Sequence, residues 1–131
     1  MFYLWQALAQ YVTQHGTEIL FGTASFAGPD PSVLTAPLSL LGREHLAQAE
    51  LRPTAIGAGA VPLGASGEFE IDRVAALRAM PALIKAYLRL GGCVGEGAYV
   101  DAAFNTVDVC MVLDVPAMNP RQKAIYLRGI G

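Results

Sequence analysis

The sequence predicts an α/β fold in which a central sheet is flanked by helices. Residues 1–12 and 82–90 carry apolar residues at helical spacing, whereas residues 17–26 and 106–115 have the β-branched or alternating pattern of strands. The 131 residues suffice for one core but lie near the lower end for an α/β enzyme. We therefore expect a single domain over residues 1–131, with a glycine-rich connector at about 53–67.

The first helix is predicted from apolar residues at positions 1, 4, 5, 8, 11 and 12, which share one face. It ends at His15 and Gly16, because glycine readily adopts the left-handed conformation that caps a helix. No Ser, Thr, Asp or Asn precedes its first apolar residues to cap the free amides. We therefore expect a helix that is cut at Met1 and begins upstream in a longer protein.

A strand is predicted over residues 17–26, which are rich in β-branched and aromatic types. Ile19, Phe21 and Thr23 alternate with Leu20 and Ala24. Because both faces are mostly apolar, we expect a central strand.

The next helix starts at Asp30 as its N-cap, with Pro31 in the first helical position, and runs to about Leu41. The glycines that follow could be taken for a phosphate-binding loop, but their spacing does not support one. Gly57 and Gly59 lack the GxGxxG spacing and no Lys follows them, which favours a plain linker.

A short helix is predicted from Arg73, capped by Asp72, with Val74, Leu77 and Met80 on its apolar face. Pro81 should end it, because proline disfavours a helix interior.

The helix at 82–90 presents Leu83, Tyr87 and Leu90 on one side and two cations, Lys85 and Arg89, on the other. Two cations one turn apart usually form a solvated face. The alternative is that they bind an acidic partner.

The last third of the chain predicts two strands and a helix. Cys93 and Val94 read as a short strand, and a turn follows at Gly95–Gly97. In the strand Thr106–Val115, apolar residues alternate with a face that is acidic at both ends, Asp108 and Asp114. Asn119 and Pro120 cap a final helix through Leu127.

Composition excludes several functions. The net charge is −2 without a basic run, which argues against nucleic acid as a partner. No apolar window reaches the roughly 20 residues of a membrane crossing, and no secretory signal opens the chain, so we expect a cytoplasmic protein. Hydrophobic residues make up 53% and charged ones 15%, so some apolar surface should meet the rest of a longer protein, a second copy or a membrane.

The two cysteines, Cys93 and Cys110, lie apart without a CxxC pair or a nearby His. This spacing predicts neither zinc nor a redox pair, so we expect no metal and two buried thiols.

Several runs resemble the bacterial ornithine lipid acyltransferases, also called hemolysin-like acyltransferases, of the GNAT superfamily. The runs cover nearly the whole chain in order: Met1–Trp5, Tyr11–Val12, His15–Gly16, Leu20–Phe26, Asp30–Pro31, Leu51–Arg52, Lys85–Gly91, Val94–Ala98, Asp101 and Phe104–Val109. The resemblance implies the C-terminal portion of a GNAT-like fold, with a mixed sheet that lacks its N-terminal strands and phosphate loop. It also implies an N-acyltransferase that moves a 3-hydroxyacyl group to the amine of ornithine.

The resemblance also implies partners and sites. The donor is an acyl carrier protein or coenzyme A thioester, with no bound cofactor, and Lys85 and Arg89 would dock the acidic carrier. The strand that admits the donor carries four candidate residues, Phe21, Gly22, Ser25 and Phe26. Four others, Asp101, Asn105, Thr106 and Asp108, supply the carboxylates and polar groups that an amino-acid acceptor needs. The alternative for this second set is an ordinary turn and strand start.

The resembled mechanism is direct attack of the amine on the thioester, with a base to take the proton. No residue is a convincing base. The positions of His15, His45 and Glu18 in the sequence are typical of surface or capping groups. Two alternatives therefore remain open. One is a non-catalytic fragment that dimerises or binds a partner, and the other is an N-acyl amino acid synthase with a different acceptor. A peripheral contact with the inner membrane is also expected from the lipid product.

Overall fold

A computed structural model describes residues 2–16, 18–64 and 70–127. Expectations at Met1 and for the end of the connector, residues 65–67, lie outside these ranges. The described helices are α1 (Phe2–His15), α2 (Thr35–Glu44), α3 (Arg73–Ala79), α4 (Ala82–Arg89) and α5 (Pro120–Leu127), with 3-10 turns at Pro31–Leu34, Ala49–Leu51 and Val115–Ala117. The strands are β1 (Ile19–Ala27), β2 (Ala60–Val61), β3 (Cys93–Val94), β4 (Ala98–Asp101) and β5 (Thr106–Asp114).

The strands form one sheet in the order β1-β5-β4-β2, and β3 also pairs with β5. Every one of these pairs is antiparallel, and β1 runs beside β5 from Ile19, opposite Asp114, to Ala27, opposite Thr106. The predicted α/β class, a sheet flanked by helices, is confirmed. Parallel pairing, expected of a mixed sheet, is confined in the described residues to two single bridges, Leu46–Val94 and Thr54–Glu96.

Strand β1 lies at the edge of the described sheet, where it pairs with β5 alone. The expectation of a central strand is therefore wrong for this part of the chain. The apolar side chain that misled the prediction is Phe21, which is 75% exposed.

Helices cover one face of the sheet. Ala24 and Phe26 of β1, with Val107, Val109 and Met111 of β5, point into this core. Helices α2, α3 and α4 supply the opposing layer, through Leu38, Leu40, Leu41, Ala76 and Ile84. A second cluster joins α1 and α4 to the same face of β5 through Trp5, Ala86, Leu90 and Leu113. The ring of Trp5 packs edge-on against Tyr87, with 4.9 Å between the ring centres.

Several predicted helix boundaries are confirmed, but the helix predicted from Asp30 to about Leu41 begins as the 3-10 turn Pro31–Leu34, and α2 then runs from Thr35 to Glu44. Gly16 follows α1 with φ +60°. The Asp30 carboxylate accepts the Ser32 amide at 2.9 Å, and the Asp72 carboxylate accepts the Ala75 amide at 3.1 Å. Asn119 caps α5 by accepting the Arg121 amide at 3.0 Å. Such caps satisfy amides that the first turn of a helix leaves without partners.

The predicted apolar face of α3 is wrong for Val74 and Leu77 and correct for Met80. Val74 and Leu77 are 66% and 43% exposed, whereas Ala76 and Met80 are buried. Ala76 and Met80 are four residues apart and share a different face from Val74 and Leu77. An ion pair between Arg73 and Glu44 of α2 accompanies this orientation.

The glycine-rich connector contains structure that a plain linker lacks. Ala60 and Val61 form β2 and pair with Tyr99 and Ala98 of β4, a strand that the sequence patterns did not predict. Gly59 permits this approach, because a Cβ at that position would lie 2.8 Å from the Tyr99 ring.

None of the described helices is long and apolar enough to cross a membrane.

Candidate functional site

The sheet face opposite the helices carries polar side chains. Along β5, Thr106, Asp108 and Cys110 alternate with the buried Val107, Val109 and Met111. The residues paired with them belong to the same face, since directly opposed side chains of antiparallel strands point the same way. These residues are Ala27, Ser25 and Thr23 of β1 and Asp101 and Tyr99 of β4. We call this surface the open face.

Asp108 is held in place by Ser25. The Ser25 hydroxyl donates a hydrogen bond of 2.7 Å to Oδ1 of Asp108. Hydrogen bonds to an ionised carboxylate are stronger than neutral ones. Since a carboxylate has about four acceptor positions, Asp108 retains the capacity to bind an ammonium group.

A cavity of about 360 Å³ lies against Asp108. The open face contributes Thr23, Tyr99 and Cys110 to its lining, and Ala55 and Glu96 come from the segments beside the sheet. Its volume falls within the usual range of ligand cavities, about 300–1,000 Å³. Two carboxylates and the hydroxyl groups of Thr23, Thr54 and Tyr99 suit it to a small molecule that carries amines.

The other three predicted acceptor residues have separate positions. Asp101 accepts the Phe104 amide at 3.2 Å and so shapes the turn between β4 and β5. Asn105 adopts φ +55°, and its carbonyl accepts the Gly28 amide at 2.7 Å. Thr106 starts β5 on the open face. Of the four, the structure brings Asp108 alone to the cavity, and the roles of the other three stay predictions.

Comparison with known proteins identifies what the chain resembles. It is 52% identical to an L-ornithine N(alpha)-acyltransferase of Rhodobacter capsulatus over 130 residues, which are 99% of this chain and 49% of that protein. Proteins of the same name from Agrobacterium fabrum and Brucella abortus are 38% and 33% identical, over 94% of this chain in each case.

The chain resembles the L-ornithine N(alpha)-acyltransferases. This confirms the resemblance expected from the sequence runs. The chain spans about half the length of these relatives, 42–49%. No family profile and no solved structure match it.

The predicted donor-side residues of this acyltransferase-like chain divide between the two faces of β1. Phe21 and Ser25 lie on the open face and are exposed. Positions 22 and 26 belong to the opposite face of the strand, which the helices cover, and Phe26 is part of the core. The structure therefore joins Ser25 to the candidate acceptor site, although sequence reasoning had assigned it to the donor.

The cations predicted to dock the acyl carrier lie on α4, behind the sheet from the Asp108 cavity. The buried Ile84 attaches this helix to the core. Lys85 is half-buried and Arg89 is exposed. Both remain candidates for docking, at a surface separate from the cavity beside Asp108.

Neither of the histidines considered as bases lines the cavity. His15 stacks on Tyr11 with 4.1 Å between ring centres. His45 ends α2, and its pKa is lowered from 6.5, mainly by burial. Sequence reasoning assigned no role to Glu96, which does line the cavity. The available signal was an acid between two glycines, inside the resembled run Val94–Ala98.

The cysteines are free and half-buried, not fully buried as expected. Burial raises the pKa of both thiols. A raised pKa keeps a thiol protonated, and the thiolate is the reactive form. Cys110 therefore contributes a small, weakly polar side chain to the lining of the cavity. In the described residues no three His, Cys, Asp or Glu side chains cluster to hold a metal ion.

Proposed function

We propose that this chain forms the acceptor-binding part of an N-acyltransferase, which transfers a 3-hydroxyacyl group from acyl carrier protein to the α-amine of ornithine. The observation that carries the proposal is Asp108, fixed by Ser25 and lining a cavity of ligand size. The similarity to L-ornithine N(alpha)-acyltransferases over nearly the whole chain supports the same reaction.

The cavity matches the charge of the proposed acceptor. Ornithine carries two amines, and the one that reacts must first lose a proton. Asp108 and Glu96 both line the cavity. One carboxylate can pair with the unreactive ammonium, while the other receives the proton of the attacking amine.

The proposed step is acyl transfer without a covalent enzyme intermediate. The neutral α-amine attacks the thioester carbonyl, a C–N bond forms, and the C–S bond breaks. The base takes the proton from the attacking nitrogen and returns it to the departing sulfur, so the carrier leaves as a thiol. We place this reaction in the cytoplasm beside the inner membrane, since its product is a lipid.

One observation favours a second candidate, a module that binds a partner or dimerises. Strand β1 pairs only with β5 among the described strands, and Phe21 stands 75% exposed on it. An exposed strand edge is a ready template for pairing with another chain.

The deciding experiment uses the full-length protein with 3-hydroxyacyl carrier protein and ornithine. We expect release of the carrier thiol and formation of a matching amount of lyso-ornithine lipid. Mass spectrometry measures the lipid product. Faster transfer to another amino acid would instead support an N-acyl amino acid synthase. No transfer to any amine, together with a dimer that persists on dilution in size-exclusion chromatography, would support the binding module.

A further inference from the structure

A second and larger cavity, of about 580 Å³, lies between α2 and the segment Ala60–Leu63. Its apolar lining includes Leu46, Ala60, Val61 and Leu63. This volume also falls in the range of ligand cavities, about 300–1,000 Å³. We call this space the rear cavity, and the space beside Asp108 the acceptor cavity.

The polar groups of the rear cavity do not fill its lining. Arg43 and Glu96 contribute to it, but both residues are exposed and can keep their charges in water. Ser39 is buried on α2. Thr54 adds a hydroxyl, and the side chains of Leu46, Ala60, Val61, Pro62 and Leu63 add the methyl and methylene groups that favour an apolar occupant.

The two cavities share a wall. Thr54, Ala55, Glu96 and Gly97 line both. Thr54 and Glu96 are joined by a single parallel bridge. The two cavities therefore adjoin along these four residues, which include the charged Glu96 as well as the small Ala55 and Gly97.

Gly97 is closely packed where the two cavities adjoin. It has φ +82°, which glycine adopts without strain. A Cβ at this position would lie 3.1 Å from the carbonyl oxygen of Val61 and 3.3 Å from the Cβ of Ala55. Any other residue would crowd the point where the two cavities meet.

We propose that the rear cavity binds the hydrocarbon tail of the acyl donor, and that Ala60 and Leu63 limit the chain length accepted. The inference rests on the proposed acyltransferase function, which requires a small charged acceptor and a long apolar chain to meet at one thioester. The acceptor cavity has the carboxylates for the first. The rear cavity has apolar side chains for the second, and it adjoins the acceptor cavity along the four residues that line both.

Chain-length preference tests the assignment. Ala60→Leu adds bulk to the rear cavity and should shorten the preferred chain, whereas Leu63→Ala should lengthen it. Each methylene that loses its apolar contact should lower kcat/KM about fourfold. Ala79→Leu is the matched control, because Ala79 is exposed on α3 and lines neither cavity.

The assay gives the full-length protein a mixture of 3-hydroxyacyl carrier proteins that differ only in chain length, with ornithine in excess. We expect Ala60→Leu to retain turnover of the shorter donors and to lose the longer ones. An unchanged product distribution in both Ala60→Leu and Leu63→Ala would overturn the assignment.

A binding measurement separates this inference from the proposed reaction. A fluorescent fatty acid bound to the full-length protein should be displaced by unlabelled fatty acids, more strongly as their chains lengthen. Ala60→Leu should remove that length dependence, and Ala79→Leu should not. Binding of this kind without any acyl transfer would contradict the proposed function and support the rear cavity. Equal displacement in the two variants would overturn the rear cavity alone.

Discussion

The Ser25 hydroxyl and the Asp108 carboxylate meet at 2.7 Å across the β1–β5 pair, although 83 residues separate them in the chain. The contact links the last third of the edge strand to the first third of its neighbour on the open face. It fixes the rotamer of Asp108, so a substrate ammonium would meet a carboxylate that is already oriented. Such preorganisation lowers the entropy cost of binding.

Asp108→Asn should raise the KM for ornithine by roughly ten- to a hundredfold, with a smaller change in kcat. Asparagine keeps the size of the side chain and can still accept from Ser25, but it lacks the charge that pairs with an ammonium. Steady-state kinetics of the full-length protein at varied ornithine concentration measure the effect.

The matched control for this variant is Asp114→Asn. Asp114 lies on the same strand and face, six residues further along β5, or roughly 20 Å at about 3.3 Å per residue. It should leave the KM for ornithine unchanged. Equal effects of the two variants would remove Asp108 from the acceptor site.

Charge reversal on α4, Lys85→Glu with Arg89→Glu, should lower kcat/KM for the acyl carrier about tenfold or more at low ionic strength. The loss should shrink as salt is added, because salt screens exposed charges. The KM for ornithine should not change, since α4 lies behind the sheet. Arg78→Glu on α3 is the control, and a loss of the same size in that variant would contradict specific docking.

Stability should fall as the pH falls below 6.5 because of His45. Burial lowers its pKa from 6.5, with Glu44 opposing the shift and Arg73 adding to it. Between the lowered value and 6.5 the unfolded chain binds more protons than the folded one, so acidification favours unfolding. The full contribution is present above 6.5 and is lost as the pH falls towards the folded value.

Urea unfolding at a series of pH values from about 5 to 8 tests this sign. His45→Gln should flatten the slope below 6.5, since the residue no longer titrates. A free energy of unfolding that rises on acidification would show that the sign is wrong.

Met111→Ala should lower the free energy of unfolding by about 2–5 kcal/mol, because the side chain is fully buried and its loss leaves a cavity. Phe21→Ala removes a larger side chain from the adjacent strand, yet it should cost only about 0.5 kcal/mol, as exposed substitutions do. Chemical denaturation of this chain measures both. Similar costs would mean that Phe21 is covered in solution, in favour of a bound partner.

Local patterns predicted much of the fold. The alternation in Thr106–Val115 identified both faces of β5, because side chains of a strand alternate strictly. Asp30, Asp72 and Asn119 marked helix starts correctly, since capping depends on neighbouring amides alone.

Long-range geometry was less accessible. β4 is short, and besides the following strand β5 it pairs with β2, which lies in the glycine-rich connector before α3 and α4. Helix α3 has apolar residues on two faces, so only its contacts decide which face is buried. Glu96 and Ala55 reach the acceptor cavity through the Thr54–Glu96 bridge, between residues that no periodicity connects.

Side chains on the two faces of β5 are constrained by different requirements. Val107, Val109 and Met111 are constrained by the amount of folded protein that each substitution leaves. Thr106, Asp108 and Cys110 project away from that layer, so they can vary with little effect on folding. Asp108 and Cys110 line the cavity, so a lineage could change the ligand that it binds through these two alternate positions and keep the scaffold unaltered.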